Sequence, residues 1–410
     1  MKRLALSLAV CLALAFSAVS ARSADEVKIR SITSPTFSAP AFSLSGGSIS
    51  VTLQATGAGA ARKAALSALD GSPVADMGLG DEPLAAGSNT FAVLIPPPVE
   101  PGLYTLCVEF TQGGAPAKDC QPHSVAVVAS FDPPFTFVQV TDYHMGDPRA
   151  LKQFPGVDIE KVRITALEKA NSFNPAFVLF TGDVCAYPET YEEDYPKAVN
   201  EILSHIKAPT IIIPGNHDLY ANTDDKGKLL TEGLDYWREY MGPTHQALDF
   251  GPFRFIGFNS YAWPQSARNR NRAYHASAGT MHTYQGAINN DELDWILAQL
   301  KTLDGRTPVF FAHHGPRTFE MMPAQFGCKD CVAQGKFMKF LEKAGAPYYI
   351  YGHIHRNDDV TEGGTRFLAT TSAGSDVSTE QLWAIRVFRV AADKSITTEI
   401  IKLFDAPPMK

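Results

Sequence analysis

The chain has 410 residues, 45% hydrophobic and 19% charged, a balance that excludes a disordered polymer and describes ordinary globular protein. With 36 Lys and Arg against 43 Asp and Glu, the formal charge is −7, so there is no basic footprint for long nucleic acid. Acidity does not exclude a small phosphorylated ligand, because bound cations would dominate the local field.

Lys2 and Arg3 precede an uncharged apolar run over residues 4–19, followed by Ser20, Ala21 and the polar Arg22. That order is the order of a secretory signal peptide. The run is shorter than the roughly 20 residues that cross a bilayer comfortably. Residues 1–24 are therefore expected to be cleaved, leaving a periplasmic or secreted protein with no transmembrane segment. Export puts the cysteines in an oxidising compartment. Cys107 and Cys120 flank the turn at Gly113 and Gly114 and suit a cross-hairpin disulfide. Cys328 and Cys331 form a CxxC that reads as a local disulfide, since no second CxxC completes a four-thiolate zinc site. Cys185 is left as a buried thiol.

Residues 25–131 show period-two alternation, as in Ser48-Ile49-Ser50-Val51-Thr52-Leu53 and in residues 104–110, with Gly and Pro clusters as turns. They predict a small all-β, immunoglobulin-like sandwich without catalytic spacing, a packing module or a docking site for an envelope partner. Asp132-Pro133-Pro134 reads as a stiff linker. From residue 135 to 405 strands alternate with helices, which predicts a layered α/β domain. Strands are expected at 135–140, 176–180, 210–213, 253–258, 309–312 and 348–351, with helices at 159–172, 196–206, 292–303 and 336–343.

Five of these strands run into polar loops: Asp142-Tyr143-His144, Gly182-Asp183, Gly215-Asn216-His217-Asp218, His313-His314-Gly315-Pro316 and Gly352-His353-Ile354-His355. Ligands of open α/β sheets bind beyond the carboxyl ends of strands, so the five loops are expected to converge. Six of the eleven histidines fall in them. Residues two apart in extended backbone face one side, so Asp142 with His144, and His353 with His355, can grip one ion or share two. Carboxylate, imidazole and amide donors without cysteine suit Mn, Fe or Zn. Each loop alone has a plainer reading as a solvated turn or a core histidine; the ordered set of five is specific.

That set resembles the calcineurin-like metallophosphoesterase superfamily, closest to its cyclic-nucleotide phosphodiesterase and acid phosphatase branches. The resemblance implies a metallophosphoesterase β-sandwich core flanked by helices, with two divalent or trivalent metal ions. Carried over, Asp142, His144, Asp183 and His355 would hold one ion. Asp183 would bridge to the second, held also by Asn216, His314 and His353. The His-x-Pro pattern selects His314, and His313 is the alternative. His217 would be a general acid or phosphate-stabilising group outside the ligand set. Ala186 stands where the family often has Asp or Asn and where purple acid phosphatases have a tyrosine ligand. Tyr187 is one residue late, so a purple iron centre is not expected.

The implied function is hydrolysis of a small phosphomonoester or phosphodiester by a hydroxide bridging two metals. The alternative is a metal- or phosphate-binding envelope protein with little turnover. Residues 261–286 carry Arg268, Arg270, Arg272, His275, His282 and Tyr284, a candidate substrate loop or a solvated surface loop.

Overall fold

A computed structural model describes residues 27–269, 284–317, 330–378 and 381–410. The expected signal peptide, most of the candidate substrate loop and Cys328 lie outside the described residues.

Residues 27–130 contain no α-helix among those described and fold into two facing sheets. One orders Ile32–Ser34, Ser48–Ala55 and Gly87–Leu94; the other orders Ala41–Ser43, Ala115–Val127, Gly102–Gln112, Gly59–Ser67 and Pro73–Asp76. Burial alternates along Ser48–Ala55 as its sequence does, and Ile49, Val51 and Leu53 meet Leu66, Leu106 and Val108 in one core. Each such side chain contributes roughly 1.5–3 kcal/mol by leaving water. Cys107 and Cys120 are directly opposed in the long hairpin and form the expected disulfide.

The remainder is a second sandwich with helices outside. Thr210–Ile213, Phe177–Thr181 and Phe135–Val140 lie parallel, and Ala384–Val390 and Ile396–Lys402 continue that sheet antiparallel. The facing sheet has Phe253–Gly257, Thr307–Phe311, Tyr348–Tyr351 and Thr365–Ala369 parallel, edged by Gln246–Phe250 and Asp358–Glu362. Both faces of these strands are covered, which is why they read as unbroken apolar runs. Val138, Val140, Val178 and Phe180 pack under the helices Ile159–Asn171 and Tyr191–His205. The alternate residues Phe137, Phe177 and Leu179 meet Phe255, Val309 and Phe311 between the sheets.

Local signals place the helix ends. Asp158 accepts from Lys161 N, Asn289 accepts from Glu292 N, and Gly345 ends Gln334–Ala344 at φ 63. The helix expected from Pro196 begins instead at Tyr191. Glu192, Glu193 and Asp194 suit the positive end of its dipole, and Pro196 removes only one backbone donor just inside it. No helix among the described residues is long and apolar enough to cross a membrane.

The two sandwiches touch. Ser38 O accepts from Ile212 N at 2.9 Å and from Gln246 Nε2 at 3.0 Å, and Phe37 O accepts from Thr210 Oγ1 at 2.6 Å. The Phe42 ring meets Phe177 and Phe250 edge-on. The N-terminal part thus covers Thr210–Ile213, the outer strand that leads into Asn216 and His217.

Candidate metal centre

The strand-end loops are laced together by backbone bonds. Asp142 N donates to Gly182 O and His144 N to Asp183 O; Gly352 N donates to His313 O, and Gly374 N to Asp142 O. Beneath them Gln139 is fully buried between the sheets. Its Nε2 donates to Thr181 Oγ1 and Tyr351 O, and its Oε1 accepts from Thr370 Oγ1 at 2.6 Å. A buried amide satisfied at both ends costs little and ties the two sheets in register.

Asp142, His144, Asp183, His353 and His355 all have positive φ, between 48° and 70°. Such backbone costs of order 1–3 kcal/mol per non-glycine residue and persists where surrounding contacts enforce it. The DxH and HxH pairs therefore turn toward the centre through left-handed backbone, not through the extended strand that their spacing suggested. The glycines beside them leave room. A Cβ on Gly352 would lie 1.9 Å from Thr141 Oγ1 and 2.6 Å from Asp142 Oδ2, and one on Gly215 would lie 2.1 Å from Asp183 Oδ1.

The donors converge in four overlapping triads: Asp142, His144 and His355; His144, Asp183 and His217; Asp142, Asp183 and His313; and His313, His314 and His353. His355 Nε2 lies 3.1 Å from Asp142 Oδ1, His144 Nε2 lies 3.4 Å from Asp183 Oδ2, and His313 Nε2 lies 3.1 Å from the same Asp183 oxygen. Asn216 is buried beside them, its Nδ2 donating to Tyr220 at 2.7 Å. Thus the two aspartates and six histidines of the five motif loops come to one place, but the two adjacent histidines differ. His314 bonds through both ring nitrogens, to Ser260 Oγ at 2.8 Å and to Tyr284 O at 3.0 Å. His313 Nδ1 donates to Thr181 O at 2.7 Å, which aims its Nε2 at the cluster.

Asn216 Oδ1 there is buried with no hydrogen-bond partner, and His313 Nε2 faces Asp183 Oδ2 at 3.1 Å without a well-aligned hydrogen bond. An unsatisfied buried polar atom costs about 1–3 kcal/mol, and a cation taking the Asn216 lone pair, and that of His313 once its proton is displaced, would remove that cost. The electrostatics agree. Burial alone would raise the Asp142 and Asp183 pKa values, yet His355 and His313 hold the two carboxylates well below the usual range. Burial also opposes charge on His355 and His313, but Asp142 and Asp183 outweigh it and raise them to about 10 and 9. His353 falls to about 3 through burial and His313, and burial pushes His314 and His217 well down. Carboxylates, neutral imidazoles and two protons that a cation could displace make a donor set fit for borderline metals.

His217 is anchored rather than loose: its N donates to Asp183 Oδ1 at 2.8 Å and its Nδ1 to Ala186 O at 2.6 Å. The position that departs from the family pattern, Ala186, therefore orients this imidazole through its backbone. Tyr187 donates to Asp147 Oδ1 at 3.3 Å. Two further carboxylates support the site, Asp218 from the Gly-Asn-His-Asp loop and Asp376, which carries no sequence signal by itself. Asp218 accepts from Cys185 N and Gly215 N, clamping two loops, and Asp376 Oδ1 holds His355 Nδ1 at 3.0 Å. Arg268 proves structural, buried and paired with Glu232 at 2.6 Å.

The sequence matches the calcineurin-like phosphoesterase family over residues 135–357. No curated protein matches the chain. Among solved structures, it is similar to a purple acid phosphatase from yellow lupin (Lupinus luteus) seeds, at 14% identity and TM-score 0.49, covering 89% of this chain and 71% of that one. It is also similar to a dimetal phosphatase from Danio rerio, at 13% identity and TM-score 0.47, covering 67% of this chain and 98% of the other. The family match spans more than half of the chain and contains all five motif loops through His355, so the protein belongs to the calcineurin-like phosphoesterase family.

Proposed function

We propose that this protein is an exported metal-dependent hydrolase of small phosphoric esters. The observation that carries the reading is the convergence of Asp142, Asp183 and the six loop histidines in four overlapping triads, with Asn216 Oδ1 buried and without a hydrogen-bond partner. Asp142, His144, Asp183 and His355 would hold one cation. Asp183, Asn216, His353 and His313 would hold the other, with His313 taking the place that His-x-Pro spacing assigned to His314. Bound there, two cations supply Lewis-acid stabilisation of phosphoryl charge and a water acidic enough to act as nucleophile.

The chain's own residues do the rest. Ala186 O fixes the Nδ1 proton of His217, leaving Nε2 to carry a proton toward the departing alkoxide. Burial holds that imidazole neutral at rest, and an entering phosphate brings the negative charge that favours its protonated form. Asp218 and Gln139 keep the loops in place. The Cys107–Cys120 disulfide and the disulfide-bonded state of Cys331 support an oxidising, extracytoplasmic location.

The test is metal analysis of the purified full chain together with a panel of phosphomonoesters, phosphodiesters, cyclic nucleotides and nucleotide sugars. Two equivalents of metal and turnover of at least one class are expected. Metal bound with no turnover of any class would replace the hydrolase by a binding role.

A further inference from the structure

We propose that Arg149 is a phosphate-anchoring residue that favours phosphomonoesters over phosphodiesters; this rests on the phosphoesterase reading above and names the charge of its substrate. Arg149 Nη2 stands 3.4 Å from His144 Nδ1 and 3.3 Å from His144 Nε2. The two ring nitrogens point in divergent directions within the imidazole plane, so one Nη2 cannot bond to both. Nη2 therefore directs an N–H at the ring, and both contacts are long, so that N–H is readily turned to an anionic oxygen, which accepts more strongly.

The rest of the guanidinium is fixed. Nε donates to Asp147 Oδ2 at 2.8 Å, and Nη1 is 3.5 Å from Asp376 Oδ1. The two carboxylates come from different loops and are themselves bridged by Ser375 Oγ, whose single proton is shared between them. Asp376 also holds His355, so the brace for Arg149 belongs to the metal-ligand set. Rotamer freedom is lost before any ligand arrives, which lowers the entropic cost of binding. The Arg149 side chain is 30% exposed whereas Asp147 is sealed, so the arginine stands between the donor cluster and solvent. His144 Nε2, which Nη2 approaches, is 3.2 Å from His355 Nε2 inside the donor cluster. An oxygen of an anion held by that cluster is within reach of Nη2. A phosphomonoester has three terminal oxygens and up to two charges; a diester has two and one. A fixed guanidinium beside the ligands serves the additional oxygen.

The experiment uses the full chain loaded with Mn, as wild type, R149M and R149K. Calorimetry would measure inorganic phosphate binding, steady-state kinetics would use p-nitrophenyl phosphate and bis-p-nitrophenyl phosphate, and metal content would be determined for each. R149M is expected to weaken phosphate binding and raise KM for the monoester by roughly tenfold to a hundredfold, with the diester KM within about threefold. Metal content should not change, and R149K should fall between. Equal effects on both esters, unchanged phosphate affinity, no phosphate binding by wild type, or loss of metal from both variants would each overturn the anchor. Arg149-dependent phosphate binding with neither ester hydrolysed would support the anchor and overturn the hydrolase reading instead.

Discussion

The two halves of this molecule are both β-sandwiches, yet they treat backbone strain in opposite ways. In the N-terminal one, left-handed backbone falls almost wholly on glycines at turns: Gly46, Gly71, Gly78, Gly87, Gly113 and Gly114. In the second, Asp142, His144, Asp183, His353 and His355 adopt it with full side chains. The first arrangement connects strands at the least conformational cost. The second accepts strain because only that backbone turns two ligands of one short motif toward a common centre. A hairpin joins neighbouring strand ends, whereas parallel strands with long crossovers leave several loops at one rim.

The contrast can be broken where it is largest, at the metal ligands. His313→Ala is expected to cut turnover on the order of a thousandfold with loss of metal. His314→Ala, whose nitrogens already serve Ser260 and Tyr284, should cost roughly tenfold to a hundredfold. Turnover and metal content of the pair decide between them, and a greater loss at His314 would restore that residue as the ligand. His217→Ala should lower kcat by roughly a hundredfold while metal stays bound. Metal leaving with it would make His217 a ligand.

Glycines sharpen the comparison further. Gly352→Ala would push Asp142 off its position, and an error near 1 Å costs about a hundredfold in rate. Gly113→Ala meets nothing within 4 Å but has φ 57, so it should cost about 1–2 kcal/mol of stability and leave kcat alone. Kinetics and thermal melts on the two variants would show whether the strain is divided as described. The smallest effect on catalysis is expected from replacing Cys107 and Cys120 together by serine. Stability of the N-terminal sandwich should fall by about 2–4 kcal/mol, with kcat unchanged. A changed kcat would show that the two parts are coupled through more than their contact.

Much of the site was legible because its ligands are chemically distinctive and each follows an apolar strand. The choice between His313 and His314 was not, since it depends on Thr181 O on one side and Ser260 and Tyr284 on the other. Asp376 and Arg149 escaped for the same reason: they act across long separations, and a lone Asp or Arg in a loop is ordinary. In the fold, Gly59–Ser67 escaped because its alanines carry little β-propensity; pairing with Gly102–Gln112 makes it a strand. Arg268, read as part of a substrate loop or of a solvated surface loop, is buried instead, because charge in a polar stretch says nothing of the Glu232 that pairs with it.

The covered outer strand Thr210–Ile213 has a practical consequence for dissecting the protein. Residues 36–42 act as a guard on a sheet margin that would otherwise invite pairing with another chain. A truncated chain lacking its first sandwich would present bare amides and the Phe177–Phe250 patch to solvent, and self-association is the expected result. Failure of such a truncation would therefore report on solubility, not on a lost tether.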